Sequence, residues 1–195
     1  MHIFLALLAV LAPVVGFTPD EVDAALRGKV PVRIEPFQRA DGKSSGRGLG
    51  AIVVERPLSE VWATLVRFDD KPEYMPRLKS IAIVDQSPQQ LRVRTVIDAA
   101  VTTARYTLVF QLDEPDHRLS WTLDRSAADN SIADTEGEYR LYSIEPGRTL
   151  VTYKSYVDTG RALPRFIQNY MARHSIPDLL NAIKRRVESG GRWRR

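Results

Sequence analysis

The sequence predicts an α+β fold in which a curved antiparallel sheet grips one long C-terminal helix. Three observations predict it. Strand-patterned segments follow one another from Leu78 to Val157 with only hairpin-length breaks between them. Along those segments apolar residues alternate with polar ones, so the sheet has one dry and one wet face. A single amphipathic stretch, Leu163 to Ser189, is long enough to cover the dry face: roughly 40 Å at about 1.5 Å per residue. With 195 residues, 44% of them hydrophobic and 27% charged, the chain has the size and composition of one folded domain.

Composition also excludes whole classes of chemistry. There is no cysteine, so disulfide frameworks, thiolate zinc sites, cysteine nucleophiles and cysteine lipidation are out. The net charge of +4 is too small to imply nucleic-acid binding, and no nucleic-acid partner is expected. Residues 1–16 form a separate object. Ile3 to Val15 is apolar throughout, too short for a bilayer span of roughly 20 residues, and ends at small Gly16 before polar Thr18, Pro19 and Asp20. That fits a secretory signal and an exported protein, periplasmic or secreted; a buried N-terminal helix or an uncleaved anchor is the alternative. Residues 17–43 are expected as an N-terminal extension, 44–189 as the main domain and 190–195 as a basic tail.

Pro19 to Leu26 reads as a short helix with acids in its first turn and Gly28 after its end. Val30, Val32, Ile34 and Pro36 alternate as an edge strand, Asp41 to Gly46 is a turn cluster, and Leu49 to Glu55 resumes as a strand. Val61, Trp62, Leu65, Val66 and Phe68 form a helical stripe that Ser59 is placed to cap. Lys71 to Met75 adds one turn, closed by Pro76. Strands are then predicted at Leu78–Gln86, Gln90–Ala100, Arg105–Asp113, Arg118–Arg125, Glu136–Ile144 and Thr149–Val157. In the final helix Pro177 lacks the amide that would bond back to Arg173, which predicts a kink or break. Beyond it, Lys184, Arg185, Arg186, Arg192, Arg194 and Arg195 read either as a solvated helix end with a frayed tail or as a transient contact with an anionic membrane surface.

Several short patterns carry a family resemblance: Pro57-x-x-x-Val61-Trp62, Phe68-Asp69 and Tyr74-x-Pro76; then Leu119-Ser120-Trp121, Gly137-x-Tyr139-x-Leu141 and Thr149-Leu150-Val151-x-Tyr153; finally Leu163-Pro164-x-Phe166 with Ile176-Pro177-x-x-Leu180. In this order, over about Ser44 to Ser189, the chain resembles the START-like (SRPBCC) superfamily and, within it, the polyketide cyclase/dehydrase and coenzyme-Q-binding branch. The resemblance implies a helix-grip fold with a cavity between sheet and long helix that takes a hydrophobic ligand. The wall so implied is Val93, Thr95, Ile97, Leu108, Phe110, Trp121, Leu123, Tyr139, Leu141, Val151, Tyr153, Phe166, Tyr170 and Met171. The same stripe would serve equally as a plain packed core.

Catalytic signatures are scarce. His2 lies in the leader, His117 in a turn that predicts solvent exposure, and His174 on the long helix beside Pro177. Their scatter makes no metal pattern, and there is no nucleophile elbow, phosphate loop or dinucleotide fingerprint. Gly46-Arg47-Gly48-Leu49-Gly50 enters a strand, not a helix, and so lacks an anion-binding terminus. Arg125 shares the parity of Trp121 and Leu123 and must pair with an acid, leave at the rim or meet a headgroup. No cofactor or metal and no catalytic residue is expected. The favoured reading is a carrier of a hydrophobic small molecule: a lipid, quinone, sterol or polyketide. A cyclase- or dehydratase-type enzyme using His174 or a pocket tyrosine is the alternative, and an interaction module working through the basic tail comes third.

Overall fold

The computed structural model describes residues 16–39, 42, 44–98, 103–160 and 165–195, with side chains for all of these except 37, 44 and 165–172. The expected signal segment lies outside the described residues, apart from Gly16. Helix α1 (Pro19–Leu26) starts with a capping box: the Glu21 amide donates to Thr18 Oγ1 at 3.3 Å, and the Thr18 amide donates to the Glu21 carboxylate at 2.7 Å.

Strands β1 (Val32–Gln38) and β2 (Ser44–Val54) form an antiparallel hairpin. The segment expected as an extension thus supplies an edge strand of the main sheet. Strand β2 also begins earlier than its glycines suggest, because Ser44, Ser45 and Gly46 pair through their backbones with Gln38, Phe37 and Pro36. Helix α2 (Leu58–Val66) follows; its N-cap is Pro57, with no side-chain cap, so Ser59 lies inside the first turn and does not cap it. The one-turn helix α3 (Lys71–Tyr74) then leads through Arg77, whose φ of 62° is left-handed, into the meander.

That meander consists of β3 (Leu78–Gln86), β4 (Gln90–Asp98), β5 (Thr103–Asp113), β6 (Arg118–Leu123), β7 (Asp134–Glu145) and β8 (Arg148–Asp158). Strand β8 pairs back onto β2, which gives one antiparallel sheet in the order β1-β2-β8-β7-β6-β5-β4-β3. Bulges in β3 and β7 shift the register and bend the ribbon.

Helix α4 (Arg165–Glu188) runs through Pro177 without a break. Arg173 is exposed, so water can satisfy the carbonyl that Pro177 leaves unbonded. The second half of α4 buries Ile176, Leu180, Ile183 and Val187 on the inner face of the sheet. Gly50 permits that approach: a Cβ there would stand 2.4 Å from Ile176 Cγ2. On the opposite face of β2, α1 and Phe17 cover Leu49, Ala51 and Val53 with Leu150 of β8. The sheet is therefore sandwiched at the β1–β2 end.

The C-terminal tail is docked, not frayed. Arg195 donates from its amide to the Glu73 carbonyl at 3.1 Å and from its guanidinium to the Leu78 carbonyl at 2.8 Å. Trp193 packs against the core with Arg185 over its ring, 5.6 Å to the centroid. Arg186 is 5% exposed and pairs with Asp70 and Glu73 at 3.3 and 2.9 Å. The pull of these two acids on α3 outweighs the hydration of a free basic end.

Candidate ligand-binding site

Strict alternation along β4–β8 sends one set of side chains toward α2, α3 and α4. Val93, Thr95, Leu108, Phe110, Trp121, Leu123, Tyr139, Leu141 and Val151 are buried on this inner face, and Ile97 and Tyr153 are half-buried there. The side chains of Phe166, Tyr170 and Met171 lie outside the described residues.

The aromatic members touch one another in a row. Phe68, at the end of α2, meets Phe110 edge-on at 4.7 Å between centroids, and Phe110 lies 6.0 Å from Trp121. Trp121 in turn lies 5.4 Å from Tyr139 and 5.9 Å from Tyr153, which are 5.1 Å apart. Leu108, Phe110, Trp121 and Leu123 each keep 7–9% of their surface exposed, whereas Leu119 and Val151 keep none. The row is therefore not fully sealed: Phe110 and Trp121 keep a little exposure, and Tyr153 at its end is half-buried. Beyond it, Ile83 at the β3 edge is 37% exposed.

The polar groups on this face are mostly phenols. Burial pushes the Tyr139 hydroxyl well above the usual tyrosine range, with neighbouring Tyr153 and Tyr74 adding to the effect. Burial likewise raises Tyr153, Tyr106 and Tyr74. All four stay protonated at neutral pH and present O–H donors suited to a carbonyl or hydroxyl oxygen. The Tyr74 hydroxyl is buried and has no hydrogen-bond partner among the described residues.

Cations join them: Arg186 stands over the Tyr74 ring at 5.4 Å, and Lys71 is the second. Lys71 is 3% exposed, and its Nζ lies 4.7 Å from the centroid of Phe68. Burial lowers this amine from 10.5 to about 7. Neither Lys71, Tyr74, Tyr106 nor Phe68 belongs to the wall expected from the sequence. Tyr106 could have been found from its parity with Leu108 and Phe110. The spacing Phe68, Lys71, Tyr74 marks a single helical face, but the acids beside Lys71 make it read as a solvated charge run.

Other candidates fall away from this face. His117 is half-buried rather than exposed, because its ring stands edge-on to Trp62 at 5.9 Å. His174 is exposed. Arg125 is 68% exposed and pairs with Asp134 at 2.8 Å, which resolves it as a rim residue. A groove of about 360 Å³ lined by Val84, Arg92, Arg94 and Asp129 lies on the outer face of the sheet, with Arg94 held by Asp129 and Arg92 by Asp124.

Comparison with known proteins agrees with this geometry. Residues 50–188 match the family model described as polyketide cyclase / dehydrase and lipid transport. No curated protein matches the chain. Among solved structures, the chain is similar to a START superfamily protein from Mycobacterium smegmatis, at 15% identity and a TM-score of 0.64, over 73% of this chain and 97% of that one. A STAR-related lipid transfer protein from Xanthomonas axonopodis aligns at 12% identity and a TM-score of 0.66, over 81% and 93%. The Zhui aromatase/cyclase from a Streptomyces species aligns at 18% identity and a TM-score of 0.60, over 83% and 97%. At such identities the likeness is one of fold.

Proposed function

Because the chain belongs to the polyketide cyclase/dehydrase and lipid transport family, whose fold takes hydrophobic small molecules, we propose that it is an exported carrier of a lipid-like molecule, held between the inner face of the sheet and α4. The observation that carries this reading is the aromatic row from Phe68 through Phe110 and Trp121 to Tyr139 and Tyr153, which stays partly exposed at Phe110, Trp121 and Tyr153. Covering about 400 Å² of apolar ligand surface at ~25 cal/mol/Å² yields on the order of 10 kcal/mol before ordering costs, enough for micromolar binding without catalysis. The protonated phenols supply orientation: each can donate one hydrogen bond to a ligand oxygen in surroundings where water competes poorly. Export is supported by the apolar leader pattern of residues 3–15 ahead of Gly16.

The test is native mass spectrometry of the protein purified from its own host, with organic extraction of whatever accompanies it. A lipid released unchanged after incubation is the expected result. Protein that arrives empty and takes up no lipid from vesicles would sink the carrier reading. A co-purified polyketone altered on incubation would instead favour a cyclase working in the same space.

A further inference from the structure

Lys71 lies buried against the aromatic face, and among the described residues it has no counter-ion. Its two neighbouring acids are already committed. Asp70 is held by Arg186 at 3.3 Å and by Arg67 at 3.6 Å; Glu73 is held by Arg186 at 2.9 Å and by Arg194 at 3.3 Å. Among the described residues Nζ meets no hydrogen-bond acceptor, and its close contact is the face of Phe68. Phe68 in turn abuts Phe110, so the amine stands at the head of the aromatic row.

The other charged groups around α3 do not change this picture. From α4 comes Arg186; from the tail come Arg194 and Arg195; from β3 comes Lys79, exposed and paired with Asp98 at 3.6 Å. Among the described residues no carboxylate pairs with Lys71: Asp69 is exposed, and Asp70 and Glu73 face the arginines. Buried against Phe68 and outside any ion pair, the ammonium loses part of its advantage over the neutral amine, which carries a nucleophilic lone pair.

We propose that Lys71 captures an apolar aldehyde or ketone bound in the grip as a reversible imine. This rests on the ligand-binding reading above and names the chemistry of its ligand. The amine lone pair forms a C–N bond to the carbonyl carbon, and the carbonyl oxygen takes up a proton as the nitrogen loses one. Departure of that hydroxyl with a further proton, as water, leaves C=N. One primary amine and one carbonyl become one imine and one water, with no oxidation or reduction, and hydrolysis returns the ligand unchanged.

The experiment incubates the full chain with decanal and sodium cyanoborohydride at neutral pH, then maps adducts by peptide mass spectrometry. Lys71 is expected to carry an added mass equal to the aldehyde less one oxygen atom, and to react at least ~10-fold faster than exposed Lys79. Lys71→Met should lose that adduct and keep the slow background. Because the site is mapped on the unaltered protein, the result does not depend on how the variant folds. Decanol, which has no carbonyl, is followed in parallel by native mass spectrometry. Decanol binding with adducts spread evenly over exposed lysines overturns the inference and leaves the ligand-binding reading standing. Absence of both decanol binding and Lys71 adduct overturns the two together.

Discussion

The indole of Trp121 lies flat against the backbone of Gly137, its register partner on β7: a Cβ on Gly137 would stand 2.3 Å from Trp121 Cζ2 and 2.6 Å from the Lys154 carbonyl oxygen. The absent side chain is what lets Trp121 tilt between Phe110, Tyr139 and Tyr153. Gly137→Ala should therefore destabilise the protein by about 2–3 kcal/mol, since both the ring and a backbone oxygen would have to move. Denaturant unfolding followed by Trp fluorescence would check it. A fully stable variant with unchanged emission would show that the contact has room to spare.

Lys71 makes a prediction with a pH signature. Between pH 10.5 and about 7 the unfolded chain holds a proton that the folded chain does not, so folding weakens as the pH falls through that window and levels off below it. The difference is worth on the order of 4 kcal/mol at full effect. Lys71→Met removes the penalty and fills similar volume. Its gain in stability should be largest at pH 6 and should disappear above about pH 10.5, as read by thermal melts across the range. A gain independent of pH would mean that the amine stays charged in the folded state.

On the wet face, Glu138 sits among three cations. Burial alone would raise its carboxyl, but the hydrogen bond from Arg118 and the charges of Arg140, Arg118 and Lys154 more than offset that and leave it lowered. The contribution is present above the ordinary glutamate range and is lost as the pH falls through the lower folded value. Glu138→Gln should cost about 1 kcal/mol at pH 7 and progressively less in acid. Equal costs at pH 7 and pH 3 would contradict the assignment.

The docked tail predicts that removing residues 190–195 loosens α3. The deletion takes away two hydrogen bonds from Arg195 and the Trp193 carbonyl that accepts from Arg186 at 3.0 Å. Amide exchange at Glu73 and Met75 should accelerate at least ~10-fold, corresponding to about 1–2 kcal/mol of local stability. Unaltered exchange there would make the tail an ornament on a self-sufficient helix.

Most of the sheet was legible in the sequence because alternation and turn residues are local signals. Strand β3 and helix α1 have the bounds that their patterns predict, and the hairpin-length breaks correctly imply an antiparallel meander; the pairing of β8 back onto β2 is not legible in them. The departures have physical causes that a local pattern does not carry. Ser44 to Gly46 pair through backbone groups, indifferent to side-chain propensity. Pro177 is tolerated because the carbonyl it orphans belongs to an exposed residue. The chemistry at Lys71 was hidden for a different reason. Asp69, Asp70 and Glu73 flank Lys71 in the sequence, and only the fold shows that Arg186, far along the chain, pairs with both Asp70 and Glu73.

The sheet is clamped on both faces at β2, by α1 outside and α4 inside at Gly50, while at the far margin β3 leaves Ile83 and Val84 37% and 54% exposed. The start of β3 is pinned by Arg195 on the Leu78 carbonyl, so only its far end resembles the open lip of a clip, and a guest that widened the grip would be accommodated there.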